Sequence, residues 1–246
     1  MSAAVPKQGE PTGRQDGNDG HVDDLPAARI LVLSGRTRAD ARSYLTNRLL
    51  ITPNDRAASA VRGAAAGGKS LAGWAEELLH GAGWSPASVV AQLDGLRRAH
   101  GPDLAGGAAE ATVNTLGAAV RELLRAGLGQ ADEVVERLLA ADDLAARTKA
   151  LARVTLRYRE LLSVDRLVDP AEALWLAAQL GTAPVPVLVA GYPRVGVAEL
   201  AFLDALAAAG SVFVLPAGFV ASEDAAAALS ARGWVIEDRM TEDRAT

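Results

Sequence analysis

Val185–Pro216 reads VPVLVAGYPRVGVAELAFLDALAAAGSVFVLP. The stretch opens on a continuous apolar run, Val187 to Ala190, and passes through a Gly-Tyr-Pro-Arg turn. It then takes helical spacing from Val197 to Ala209 and closes on a second apolar run, Val212 to Leu215. Two short β-branched runs bounded by Pro and Gly, with a helix between them, predict strand, crossover helix and parallel strand. Both strands read as buried on both faces. In an open α/β sheet, ligands sit just beyond the carboxyl ends of the strands. That rule puts Gly191, Tyr192, Pro193 and Arg194 where a nucleotide-hydrolysing site needs an acid to hold magnesium and polarise a water. The turn holds no acid.

Outward from that core, Arg29 to Leu33 predicts a first strand, followed by the turn Ser34-Gly35-Arg36 and a helix through about Arg48. Leu49 to Thr52 predicts a second strand, and Pro53-Asn54-Asp55 then turns into a helix carrying Ala57, Ala58 and Val61, with Asn54 or Asp55 as N-cap. From Leu71 to Ser163 the pattern is almost wholly helical. Leu71, Trp74, Ala75, Leu78 and Leu79 share one face, and Ser85-Pro86 reads as a capping hydroxyl ahead of a proline, opening a helix that runs to about His100. Further helices are expected over 108–126, 131–139 and 144–162, and another from Asp169-Pro170 to Gly181. Ser222 to Arg232 predicts a capped helix and Trp234 to Ile236 a last short strand.

The expected organisation is therefore α/β: a parallel sheet, built from 29–70 and 182–238, interrupted by a helical subdomain over 71–181. Residues 1–28 are rich in Gly, Pro, Asp, Gln and Asn without apolar periodicity and read as a disordered leader; 239–246 read as a disordered tail.

The chain has 246 residues, half of them apolar and only 4% aromatic, so its core must rely on close packing of small side chains. It contains no cysteine, which excludes disulfides and thiolate-held metal within the chain. No run approaches the length of a membrane span, and no signal peptide precedes the first strand, so a cytoplasmic setting is expected. Net charge is −5, yet 29–70 carries Arg29, Arg36, Arg38, Arg42, Arg48, Arg56, Arg62 and Lys69 against Asp40 and Asp55, a local balance of +6. A solvated Arg-rich surface and a polyanion site both fit that count.

Gly63-Ala64-Ala65-Ala66-Gly67-Gly68-Lys69-Ser70 satisfies the phosphate-loop pattern G-x-x-x-x-G-K-[ST] letter for letter. Such a loop needs a strand immediately before it and a helix opening at Lys-Ser, so that backbone amides converge on the phosphates. Here a helix precedes it, and a flexible turn is the simpler reading. The properly placed turn is Ser34-Gly35-Arg36, directly after the first strand, but it has one glycine and no lysine. Leu49 to Arg62, LLITPNDRAASAVR, ends a strand in Thr52-Pro53-Asn54 beside Arg56 and Arg62. Hydroxyl, amide and helix-N-terminal donors gathered there suit a nucleic-acid phosphate. Arg36 and Arg38 are adjacent. His21, His80 and His100 lack any carboxylate spacing for a metal, and the four tryptophans read as core anchors.

LLITPNDRAASAVR resembles motif Ia of superfamily 1 helicases, and VLVAGYPRVGVAELAFLDALAAAGSVFVLP resembles the motif II region of the divergent AddB-type subunits of bacterial helicase–nucleases. In those subunits the Asp-Glu pair gives way to Gly followed by an aromatic, here Gly191 and Tyr192, with a Glu a few residues on, here Glu199. Residues 65–79 and 149–180 are also similar to that subunit's N-terminal region. The resemblance covers about 29–236 in element order and implies a P-loop-like helicase fold. Ser34, Gly35 and Arg36 would be a degenerate nucleotide loop, and Gly191 and Tyr192 a degenerate motif II. DNA, as a single strand or duplex end, would be held by Thr52, Pro53, Asn54, Arg56, Arg62, Arg36 and Arg38. Complete members of that family continue into a second helicase-like domain and a nuclease domain, which this sequence does not contain.

The resulting expectation is a non-catalytic DNA-binding domain acting in double-strand-break repair, with no cofactor, no metal and an AddA-like helicase subunit as partner. Two alternatives stand beside it: a scaffold docking on such a partner, and an active ATPase that uses Lys69.

Overall fold

A computed structural model describes residues 28–62, 68–100, 109–130, 132–141 and 145–238. The expected leader, apart from Ala28, the expected tail, and Gly63 to Gly67 of the phosphate-loop match lie outside those residues. In chain order the elements are β1 (Ile30–Ser34), α1 (Thr37–Ser43), β2 (Leu49–Ile51), α2 (Asp55–Arg62), α3 (Leu71–Gly81), β3 (Ser85–Pro86), α4 (Val89–His100), α5 (Ala109–Arg125) and α6 (Asp132–Ala140). Then follow α7 (Ala146–Val164), β4 (Leu167–Val168), α8 (Ala173–Leu180), β5 (Val187–Ala190), α9 (Val197–Leu206), β6 (Val212–Pro216), α10 (Val220–Ser230) and β7 (Val235–Asp238).

The chain is α/β. Five strands form one parallel sheet in the order β2-β5-β6-β1-β7. β5 and β6 are the adjacent parallel pair expected, with Leu188, Val189 and Ala190 opposite Val212, Phe213 and Val214. Their side chains are buried throughout, save the half-buried Pro216 that closes β6. Alternating side chains supply two cores. On one face Leu31, Ile51, Val187, Val189, Phe213 and Leu215 pack with residues of α3, α8, α9 and α10. On the other, Val32, Leu50, Leu188, Val212 and Val214 pack with Ala41 of α1 and Ala58 and Val61 of α2. The two faces follow from crossover handedness: rightward steps such as β5 to β6 put helices on one side, and the leftward step from β1 to β2 puts α1 on the other.

A third core joins α4, α5 and α7 around Leu96, Val113, Val120, Leu124, Tyr158 and Leu162. Helices α3 and α8, at the two ends of the 71–181 stretch, contribute Leu71, Ala75, Leu79, Ala173 and Ala177 to the sheet's core, whereas the third core gathers α4, α5 and α7. Between them lies a two-stranded parallel ribbon, β3 with β4.

That ribbon corrects the reading of Ser85-Pro86 as a helix start. Ser85 and Ala87 donate their N–H groups to Arg166 and Val168 at 3.0 and 2.8 Å, so Pro86, which has no N–H, falls on the ladder position where none is needed. The capping hydroxyl of α4 is Ser88, which accepts from Ala91 N at 3.2 Å. Helix α1 stops at Ser43 rather than near Arg48. Arg48 folds back instead, its guanidinium donating to the carbonyls of Gly210 at 2.6 Å and Tyr44 at 2.9 Å. Helix α10 begins two residues before Ser222, whose hydroxyl is buried in the first turn rather than capping it. No helix among the described residues is long and apolar enough to cross a membrane.

Candidate nucleic-acid interface

Three connections meet at the carboxyl edge of the sheet: β1 to α1, β2 to α2, and β5 to α9. Between α1 and α2 they leave a cleft of about 280 Å³ lined by Thr37, Arg38, Asn54, Arg56, Ala57, Ala60, Val61, Ala190 and Gly191. Four of the residues singled out in the sequence, Arg38, Asn54, Arg56 and Gly191, thus come together although 153 positions separate the first from the last. Two arginines and no acid line the cleft. Arg38 and Arg56 are exposed, and neither makes a hydrogen bond or ion pair among the described residues.

The local sequence explains the placement. Thr52 ends the β2 connection with its N–H donating to Lys69 O at 3.1 Å and its hydroxyl to Asn54 O at 3.2 Å. Asn54 Oδ1 accepts from Ala57 N at 2.9 Å, the N-cap bond expected of an Asn ahead of an Ala-rich helix. The cap spends the carbonyl oxygen and leaves the amide NH2 as a donor at the cleft. Gly191 has φ +84°, and a Cβ there would lie 3.3 Å from both Ala57 Cβ and Pro53 Cδ. Only glycine lets the β5 turn pass this close to α2.

Other expected contact residues stand differently. Thr52 is fully buried, which corrects its reading as a phosphate contact: it shapes the turn that presents Asn54. Pro53 packs toward Gly191. Arg36 and Arg62 are exposed and adjoin the lining in sequence without forming it. Tyr192 is buried beneath the start of α3, its hydroxyl accepting from Leu71 N at 3.0 Å. Burial raises its pKa; the Leu71 N–H opposes that rise and nearby Glu199 adds to it. Gly191 and Tyr192 therefore face opposite ways, one into the cleft and one into the core.

The turn after β1 is closed by its own side chains. Ser34 is buried and hydrogen-bonds to the Asp40 carboxylate. It also accepts from Arg36 N at 2.8 Å, while its carbonyl accepts from Ala217 N at 3.0 Å. This turn lies at the point where the chain's strand order reverses, the usual ligand crevice of such a sheet. A carboxylate bonded across it opposes an incoming phosphate.

Every described residue of the phosphate-loop match has another role. A Cβ on Gly68 would come within 2.8 Å of Thr52 Oγ1 and 2.9 Å of Ala58 Cβ, so packing, not phosphate approach, requires that glycine. Lys69 extends the sheet through a parallel bridge to Ile51, pairs with Glu77 and lies 4.7 Å over the Trp74 ring. Ser70 caps α3, accepting from Gly73 N at 3.0 Å. What precedes the match is α2, not a strand.

Of the eight cations between Arg29 and Lys69, at least four are thus committed to structure, and Arg36 and Arg62 also interact with other groups. Besides Arg48 and Lys69, Arg29 pairs with Asp204 at 3.3 Å, and Arg42 donates to the carbonyls of Val61 and Ala60, both at 3.0 Å. The feature that sequence reading missed is the Ser34–Asp40 bond, whose only signal was a serine and an acid six residues apart. No protein-family model and no curated protein matches the chain.

Proposed function

We propose that the cleft between α1 and α2 takes the backbone phosphates of DNA, and that the chain is a non-catalytic, helicase-like domain of the AddB type. It would act in the cytoplasm on single strands or duplex ends during double-strand-break repair, beside an AddA-like helicase subunit. The observation that carries this reading is the convergence of Arg38, Arg56 and the Asn54 amide on one acid-free cleft at the carboxyl edge. Phosphate contacts of this kind position a strand without reading its sequence. The non-catalytic part rests on the two turns that ATP hydrolysis would need. After β1 there is no lysine and Ser34 is tied to Asp40; after β5 there is no acid.

Affinity for an oligonucleotide should fall steeply with added salt, because phosphate neutralisation releases counterions. Absence of binding at both low and moderate salt would rule out the DNA contact. Magnesium-dependent ATP binding that Lys69→Ala abolishes would overturn the non-catalytic part.

The scaffold reading has one observation of its own. Val197, Phe219 and Val220 are 53%, 62% and 74% exposed on the connections that follow β5 and β6, as a protein-docking surface would require. A chain that remains monomeric and retains no partner during purification would count against it.

A further inference from the structure

The longest described helix carries a row of cations that the cleft does not use. Lys149, Arg153 and Arg157 stand at i, i+4 and i+8 on α7, about 6 Å apart along its axis. The buried residues of the same helix, Ala152, Thr155, Tyr158 and Leu162, lie on the other side, where Tyr158 and Leu162 pack in the third core. Arg153 and Arg157 are exposed and Lys149 is half-buried. None of the three makes a hydrogen bond or ion pair among the described residues, nor does Arg147 in the first turn of the helix. Elsewhere Arg29 and Arg232 pair with Asp204, Lys69 with Glu77, Arg98 with Asp94, Arg125 with Glu122 and Arg159 with Glu172.

Placement distinguishes this row from an ordinary solvated face. Helix N-termini favour acids, because the first N–H groups leave partial positive charge there. Helix α7 has no acid in its first turn, and its N-cap, Ala145, offers no side-chain acceptor. Arg147 and Lys149 instead add charge to the positive end, which weakens the helix and concentrates positive potential. Ala146 and Ala150, both exposed, flank the row and let a flat partner approach. The nearest acids in sequence are Glu160 at the far end and Asp142 and Asp143, which lie outside the described residues.

We propose that the outer face of α7 is a second contact for a nucleic-acid backbone, read by charge and not by base sequence. The spacing favours a polynucleotide: three evenly placed cations meet a polymer that carries a phosphate about every 3.4 Å along each strand. This contact does not depend on the α1–α2 cleft.

The test uses the full chain and its Lys149→Gln, Arg153→Gln, Arg157→Gln variant, with helix content compared by circular dichroism. Affinity for an oligonucleotide of about 30 nucleotides, single-stranded and duplex, is measured between about 50 and 200 mM salt. The triple change should lower affinity at least about tenfold at low salt and reduce the salt slope by about 2 to 3, equally for unrelated sequences. The same loss should appear in an Arg38→Gln, Arg56→Gln background, which separates this contact from the cleft. Unchanged affinity and slope would overturn the inference. So would tighter binding of poly-glutamate than of the oligonucleotide at equal charge, which would assign the row to an acidic protein.

Discussion

The turns after β1 and β2 have the same job, carrying the chain from a parallel strand into a helix on the same face of the sheet, yet they end in opposite chemical states. After β1, the Ser34 hydroxyl, the Arg36 N–H and the Asp40 carboxylate satisfy one another. After β2, Thr52 is turned inward and Asn54 caps α2 with its oxygen alone, so an amide and a guanidinium remain for solvent. The difference lies in where each turn spends its polar atoms. A turn whose donors and acceptors are matched internally presents nothing to a ligand, whereas one whose acceptors are spent and whose donors remain is prepared for an anion. Each turn still delivers one arginine, Arg38 or Arg56, to the cleft between them.

The strongest way to break the comparison is to remove those two arginines. Arg38→Gln with Arg56→Gln should weaken oligonucleotide binding about a hundredfold at low salt, each charged contact being worth about 1.5 kcal/mol; fluorescence anisotropy reads this directly. Gly191→Ala comes next. At φ +84°, with two atoms 3.3 Å from the new methyl, it should cost about 1 to 2 kcal/mol in urea unfolding and narrow the cleft.

Tyr192→Phe tests the inward-facing half of the β5 turn. It orphans the Leu71 N–H and should cost about 1 to 2 kcal/mol at neutral pH without altering DNA affinity. Burial raises the Tyr192 pKa, so the folded state favours the neutral phenol. That contribution is fully present below the ordinary tyrosine pKa of about 10 and is lost as pH rises through the higher folded value. Wild type and variant should therefore converge in stability in strong alkali.

Thr52→Val should cost about 1 kcal/mol and lower DNA affinity only through the loosened turn, since Thr52 itself is buried. The smallest effect is expected from Asp40→Asn. It keeps a partner for Ser34 while removing the negative charge from the β1 turn, and binding should strengthen by about twofold, in line with an exposed charge interaction.

Much of the fold was legible in the sequence because β5 and β6 are unbroken apolar runs and need no partner to be recognised. Their neighbours were not legible. Nothing in VLVA or VFVLP says that β1 lies beside β6 and β2 beside β5, since parallel pairing is non-local and each strand is buried on both faces. The β3–β4 ribbon escaped because two-residue strands carry no period, and Ser-Pro is also a good helix opening. At the site, the structure brings Arg38, Asn54, Arg56 and Gly191 to one cleft, but direction did not follow from residue type. Thr52 and Tyr192 face inward on account of packing with Gly68 and Leu71, which are distant or unremarkable in the sequence. The phosphate-loop match at 63–70 shows the converse: a glycine such as Gly68 serves close packing as well as phosphate approach.

The most direct test of the account is a structure of the chain bound to a short DNA single strand. A backbone phosphate should sit in the α1–α2 cleft within hydrogen-bond distance of the Arg38 and Arg56 guanidiniums, with the Ser34–Asp40 bond intact. A phosphate seated on the Ser34-Gly35-Arg36 turn or at Lys69, with the cleft empty, would contradict it.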